Sequence, residues 1–236
     1  MKIKQIIMTS LLSCIMAMTF IACSDDDGNN NTKFPTPSPK EQWGATLKGD
    51  GEVLGAYPDL YCNYWEYTYE ADKNSDKILC LKGEFPHCRY FSISLYNDET
   101  GDVFSGINDQ DISADNGSTN PFVKTTSGKN YFTIYVVPNG TSQSVIDKLD
   151  SKNVVKVTEG VNKVAIALRH YLGTTADGSQ KDEYAGVELP AITALDMKLH
   201  ETSVPEHVAS NVYKVTSKVF TQKSDENKEM PFFLAP

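Results

Sequence analysis

From residue 61 onward the chain alternates apolar and polar positions. In "RYFSISLYN" (89–97), Phe91, Ile93 and Leu95 fall on one side of an extended backbone, and Tyr90, Ser92, Ser94 and Tyr96 on the other. "NYFTIYVVP" (130–138), "NKVAIALRHYL" (162–172) and "LPAITALDMKL" (189–199) read as further strands. "YCNYWEYTY" (61–69) and "KILCLKG" (77–83), joined by the turn-like run Ala71–Asp76, read as a hairpin. Strands of this length, punctuated by Gly, Asn and Pro, predict a mainly β fold: an antiparallel sandwich or a partly open barrel.

Two segments leave the two-fold pattern and predict one or two helices. Thr141 to Leu149 would bury Val145, Ile146 and Leu149. Near the C-terminus, Val204 to Val219 carries Val204, Val208, Val212, Val215 and Val219 at helical spacing, and Ser203 with Glu206 forms a capping-box pattern. Valine is a modest helix former, so a strand there is the alternative. No internal repeat or second linker interrupts residues 43–236, which are expected to form a single domain.

The N-terminal part has another character. Lys2 and Lys4 precede an uncharged stretch from Gln5 to Ala22, which reads as a signal peptide over residues 1–22. Its ending, Phe20-Ile21-Ala22-Cys23, resembles the lipobox of bacterial lipoproteins, with Phe20 in the place usually held by leucine. That resemblance implies lipidation of Cys23 and attachment to a membrane. Each buried methylene contributes about 0.8 kcal/mol, so several acyl chains together hold firmly. A membrane anchor with an incidental cysteine is the alternative. Ser24, Asp25, Asp26 and Asp27 follow at once and resemble the acidic export signal of surface lipoproteins in the Bacteroidetes, which implies display on the outer membrane. A solvated acidic spacer is the other reading. Pro35, Pro37 and Pro39 favour extended geometry, so residues 23–42 are expected to be a tether.

Charge narrows the partners. The chain has 22 basic and 31 acidic residues and a net charge of −9. Without residues 1–22, 20 basic residues face 31 acidic ones, a net −11, which argues against nucleic acid as a partner. Of five cysteines, Cys62, Cys80 and Cys88 remain once Cys14 is cleaved away and Cys23 acylated, so at most one bridge can form among them.

The most distinctive stretch is "GEFPHCRYFSISLYN", followed by "DISADNGSTNPF" (111–122). The two resemble an uncharacterised family of exported proteins with F-P-H-x-R-Y and D-I-x-P-D-x-G-S-x-N-P-F; Ala114 stands where that pattern has proline. "NYFTIYVVP", "IALRHYL" and "AGVELPAI" continue the likeness, which covers roughly residues 43–199. It implies a β-sandwich and carries no established reaction.

Candidate chemistry is sparse. His87 and Arg89 would share a face on extended backbone and could together orient a carboxylate or serve acid/base work. Arg89 is expected to hold the 111–122 loop through Asp111 or Asp115. Asp109, Asp111, Asp115 and Asn120 gather oxygen ligands on one loop, but the spacing fails the calcium template, so no metal is expected. His200 and His207 read as surface residues. Nucleophile elbows, zinc motifs and dinucleotide loops are lacking, and no cofactor is expected. The aromatic run Tyr57, Tyr61, Tyr64, Trp65, Tyr67 and Tyr69 is the leading binding candidate, although such residues also fill sandwich cores. The expected function is non-catalytic binding of a glycan, peptide or surface-protein partner. The alternative is an extracytoplasmic enzyme using His87 with the loop carboxylates.

Overall fold

A computed structural model describes residues 38–44, 47–48, 61–125, 128 and 130–211, with backbone alone for 47–48. The signal peptide, Cys23, the acidic run, Tyr57 and residues 212–219 of the expected C-terminal helix lie outside the described residues. The strands, in chain order, are β1 (Leu47–Lys48), β2 (Cys62–Glu70), β3 (Lys77–Glu84), β4 (Tyr90–Asn97) and β5 (Val103–Asn108). They are followed by β6 (Tyr131–Val137), β7 (Val154–Lys156), β8 (Lys163–Tyr171), β9 (Ala191–Asp196) and β10 (Glu201–Thr202).

These strands make two five-stranded sheets. Sheet A has the order β1-β2-β8-β4-β5 and sheet B the order β10-β9-β3-β6-β7. All pairings are antiparallel except that of β6 with β7. The architecture is a β-sandwich, and the alternation read from the sequence is what closes it. Phe91, Ile93 and Leu95 point inward from β4 and are fully buried, as are Val164, Ile166 and Leu168 of β8. They meet Leu79 and Leu81 of β3 and Phe132 and Ile134 of β6 in one core cluster. Each large apolar side chain removed from water contributes about 1.5–3 kcal/mol, so this shared interior is the main force holding the sheets face to face.

The expected hairpin between 61–69 and 77–83 is not one. β2 belongs to sheet A and β3 to sheet B, and the link between them, with a 3-10 turn at Asp72–Asn74, carries the chain across the sandwich. Ala71 and Asp72 donate their backbone N–H groups to the Asn162 carbonyl and so aim the crossing. A hairpin and a sheet-to-sheet arch both put the apolar positions of two strands on one core, so periodicity cannot separate them. The partners decide: β2 is already paired with β8 over nine residues.

The expected C-terminal helix also fails over its described part. Residues 203–211 have no regular secondary structure, and they contact sheet A. Val208 N–H donates to the Thr68 carbonyl, the Tyr67 hydroxyl to the Pro205 carbonyl, and Lys163 Nζ to the Ala209 carbonyl at 2.6 Å. Those tertiary bonds satisfy the backbone that a helix would have satisfied internally, and valine's weak helix preference does not resist them. His207, expected on the surface, is half-buried and stacks 5.3 Å from the Tyr67 ring.

Two short helices complete the fold. Gln143–Ile146 (α2) appears where Thr141–Leu149 was expected, with Val145, Ile146 and Leu149 packed on Ile78, Tyr135 and Val137 of sheet B. The other, α1 (Pro39–Gln42), lies in the stretch expected to be tether. Pro39 occupies the first helical position, where its missing N–H costs nothing, and Glu41 accepts from the Ser38 backbone N–H at 3.0 Å. Gln42 is buried and pairs both ways with the Ile192 backbone, and Trp43 Nε1 donates to the Pro190 carbonyl at 2.8 Å. Folded structure therefore starts a few residues before Trp43. Among the described residues no helix is long and apolar enough to cross a membrane.

Candidate functional site

The loop that gathered carboxylates is a scaffold. Asn120 is buried; its Nδ2 donates to the carbonyls of Asp109 at 2.6 Å and Ile112 at 2.8 Å, while its Oδ1 accepts from Phe122 N–H at 2.8 Å. Asp109, also buried, accepts from Phe91 N–H through Oδ2 and from Gln110 N–H through Oδ1. Asp111 accepts from Asn108 Nδ2 at 2.5 Å, and Asp115 from the Thr133 hydroxyl at 2.9 Å. Asn153, which the sequence reading did not single out, clamps the loop from the other side: its amide bonds Ser113 N–H, the Ser113 carbonyl and the Thr133 carbonyl. Each carboxylate is thus occupied by a protein donor, and the motif 111–122 specifies a loop shape.

Residues 87–89 form a bend rather than the extended strand entry on which His87 and Arg89 were expected to share a face. The backbone of His87 does the work here. It donates to the Ala185 carbonyl at 2.8 Å and accepts from Thr174 N–H at 2.8 Å, tying loop 172–188 to the core. Gly186 lies against the imidazole; with φ +73° and a Cβ that would sit 2.7 Å from Ala176 N, that position requires glycine. Arg89 is exposed, and among the described residues its guanidinium has no hydrogen bond or ion pair. The expected contact to Asp111 or Asp115 is absent, since Asn108 and Thr133 hold those carboxylates.

Trp65, offered as a binding residue, is 2% exposed and belongs to the core, as do Tyr67 and Tyr69. It packs edge-on against His170, ring centroids 4.9 Å apart, and beside Tyr184 at 5.7 Å. His170 faces inward from β8 between Trp65 and Phe91, is 1% exposed, and hydrogen-bonds the Glu183 backbone; burial pushes its pKa down to about 4. It is a neutral core histidine. Cys62, Cys80 and Cys88 form no disulfide with one another, and burial pushes the Cys88 thiol up to about 12.

What remains is the outer face of sheet A. The register places Tyr64, Arg169, Ser92 and Asn108 in one row across β2, β8, β4 and β5. Tyr171 and Tyr90 lie in the row beside it with rings 5.4 Å apart, edge to face. Tyr96 stands at the bulge of β4 on the same side. The Arg169 guanidinium lies over the rings of Tyr64, at 5.6 Å, and Tyr96, at 5.8 Å, and its Nη2 donates to the Tyr96 hydroxyl. Arg169 Nε and Ser92 Oγ are buried without hydrogen-bond partners among the described residues. Tyr90 is 36% exposed, and at the rim Tyr61, 63% exposed, lies beneath Lys181 Nζ. The far end of the same face is closed differently: Lys163 pairs with Asp98 at 2.8 Å, and Ser210 and Asn211 bond the other Asp98 oxygen.

No family model matches the chain, and no curated protein matches it. Among solved structures it is similar to an uncharacterised protein from Burkholderia cenocepacia, at 9% identity and a TM-score of 0.41, over 79% of this chain and 46% of that one. The chain spans about half the length of that protein.

Proposed function

We propose that this protein is a lipid-anchored, non-catalytic binding module held at the outer membrane surface through Cys23, with Ser24, Asp25, Asp26 and Asp27 directing its display. We further propose that it engages a glycan through the outer face of sheet A. The observation that carries the binding reading is the tyrosine group around Arg169, which stands on the outside of the sandwich while Trp65, Tyr67 and Tyr69 fill its inside. Flat amphipathic rings on a sheet face stack on sugar rings at low cost in side-chain entropy. An arginine among them adds direction to that stacking.

A glycan and peptide array probed with the full chain in detergent tests the binding. Retained glycans, lost on Tyr64→Ala and Tyr90→Ala, are the expected outcome; retention of peptides alone would replace the glycan reading with a protein partner. The anchor is tested separately. Cys23→Ala should abolish incorporation of radiolabelled palmitate, and alanine at Asp25, Asp26 and Asp27 should leave the protein membrane-bound but shielded from protease added to intact cells.

A further inference from the structure

We propose that β5, the outer strand of sheet A, is a docking edge for an extended basic segment of another protein, which adds to the sheet as a further antiparallel strand. This is independent of the glycan reading. The first ground is the direction of the backbone groups. Asp98 N–H donates to the Lys163 carbonyl, so the even-numbered residues from Ser92 to Asp98 turn their backbone groups toward β8. Asp109 N–H donates to the Phe91 carbonyl, so the odd-numbered residues of β4 and β5 bond each other. The N–H and C=O of Gly106 and the N–H of Asn108 therefore point away from the sheet. Among the described residues nothing hydrogen-bonds these three groups, whereas the Asn108 carbonyl is taken by the Asp111 and Ile112 N–H groups.

The second ground is that this edge is open. Gly106 is exposed, and Val103 at the start of the strand is 60% exposed. Val103–Asn108 holds no proline and no charged side chain, two devices that ordinarily keep a sheet edge from pairing. A third device, shortness, marks the edges of sheet B: β10 has two residues and β7 three, against six in β5. A bulge breaks the β4–β5 register at Leu95/Tyr96, but Ser105 to Asn108 pair regularly with Ser92 to Leu95. Ile107 packs partly buried against the core, so the incoming residue beside it faces the apolar interior. Main-chain bonds of this kind supply affinity, and the alternate side chains supply specificity.

The third ground, charge, selects the occupant. Asp102 and Asp111 are exposed and stand just before and just after the strand, in a chain of net charge −9. An extended segment with valine or isoleucine on one face and lysine or arginine at its ends complements both the core and the two carboxylates. A second copy of β5 fits worse. Paired antiparallel about Gly106, it would bring Asp102 of each copy close to Asp111 of the other, and like charges opposed across strands are destabilising.

The test uses the full chain in detergent and a synthetic peptide, Lys-Thr-Val-Thr-Val-Thr-Lys, with amide hydrogen exchange followed residue by residue. At saturating peptide the Gly106 and Asn108 amides should exchange about fivefold more slowly or less. The same peptide with glutamate at both ends should bind about tenfold more weakly, and added salt should narrow that gap. Asp102→Asn should narrow it too, without change in melting temperature. N-methylation of the central threonine, whose N–H faces Gly106, should abolish binding; N-methylation of a valine, whose N–H faces away, should not. Unchanged exchange at Gly106 and Asn108 in excess peptide, equal binding of the basic and acidic peptides, or indifference to the position of the methyl group would overturn the proposal. Slowing of the same two amides with protein concentration alone would make a second copy the occupant and would overturn it as well. None of these outcomes touches the glycan reading, which the array decides.

Discussion

Loop 108–122 and the outer face of sheet A are both rich in polar side chains, and they use them in opposite ways. In the loop and against it, Asn120 and Asn153 each make three side-chain hydrogen bonds to backbone, and Asp109, Asp111 and Asp115 each accept from a donor of the protein. On the sheet face, Arg169 lacks a carboxylate and Ser92 a partner. A fully satisfied polar network rigidifies and specifies a shape; a partly satisfied one has capacity left for something else. The density of chemistry-bearing residues in loop 108–122 therefore marks a loop that holds its own shape.

The comparison is broken most directly by Asn120→Ala. Three hydrogen bonds go, and two buried carbonyls are left without a donor, so the loss of unfolding free energy should be about 3–4 kcal/mol by chemical denaturation. A loss below about 1 kcal/mol would show that the loop does not depend on that amide.

His170 gives the next largest effect, and it depends on pH. Its pKa is near 6.5 in the unfolded chain and about 4 in the folded one, because burial between Trp65 and Phe91 disfavours the charged imidazolium. The unfolded chain then binds the proton first as pH falls. The stability contributed by the neutral ring is complete above about pH 6.5 and is lost progressively down to about pH 4. Burial outweighs the Glu183 backbone hydrogen bond and the Asp182 carboxylate, which both favour the charged ring, and the effect is on the order of 3 kcal/mol. Denaturation midpoints of wild type and His170→Phe, measured from pH 7.5 to 4, should diverge over that window. Parallel profiles would mean that the ring takes up its proton as readily in the folded chain as in the unfolded one.

Arg89→Ala should do least. Its guanidinium is exposed and without partner among the described residues, so the change in stability should stay under about 0.5 kcal/mol. A loss of 2 kcal/mol would restore the arginine-to-loop contact that the motif order suggested and would make the loop less self-sufficient than its hydrogen bonds indicate.

The amino-acid sequence by itself determined the inward faces of β4, β6 and β8, because a period of two on extended backbone leaves no choice about which side chains meet the core. It also marked α2, whose apolar positions had to find cover, and the polar loop 111–122, where Asn120 bonds local backbone. Only the tertiary structure decided the rest. Whether β2 and β3 share a sheet depends on which strand edges are vacant, and β8 had already taken one edge of β2. Residues 204–211 are not helical because carbonyls and donors on sheet A take up their backbone and side-chain groups, a reward invisible in the local pattern. Arg169 stands in "IALRHYL", read from the sequence as strand and as part of the family likeness, and was not singled out there as a site residue. Arg169 lies 105 residues from Tyr64 along the chain and 73 from Tyr96, and only strand pairing between β2, β8 and β4 brings the three onto one face. A site assembled from side chains that distant leaves no spacing to read, since the distances that define it exist only after the sheet has formed.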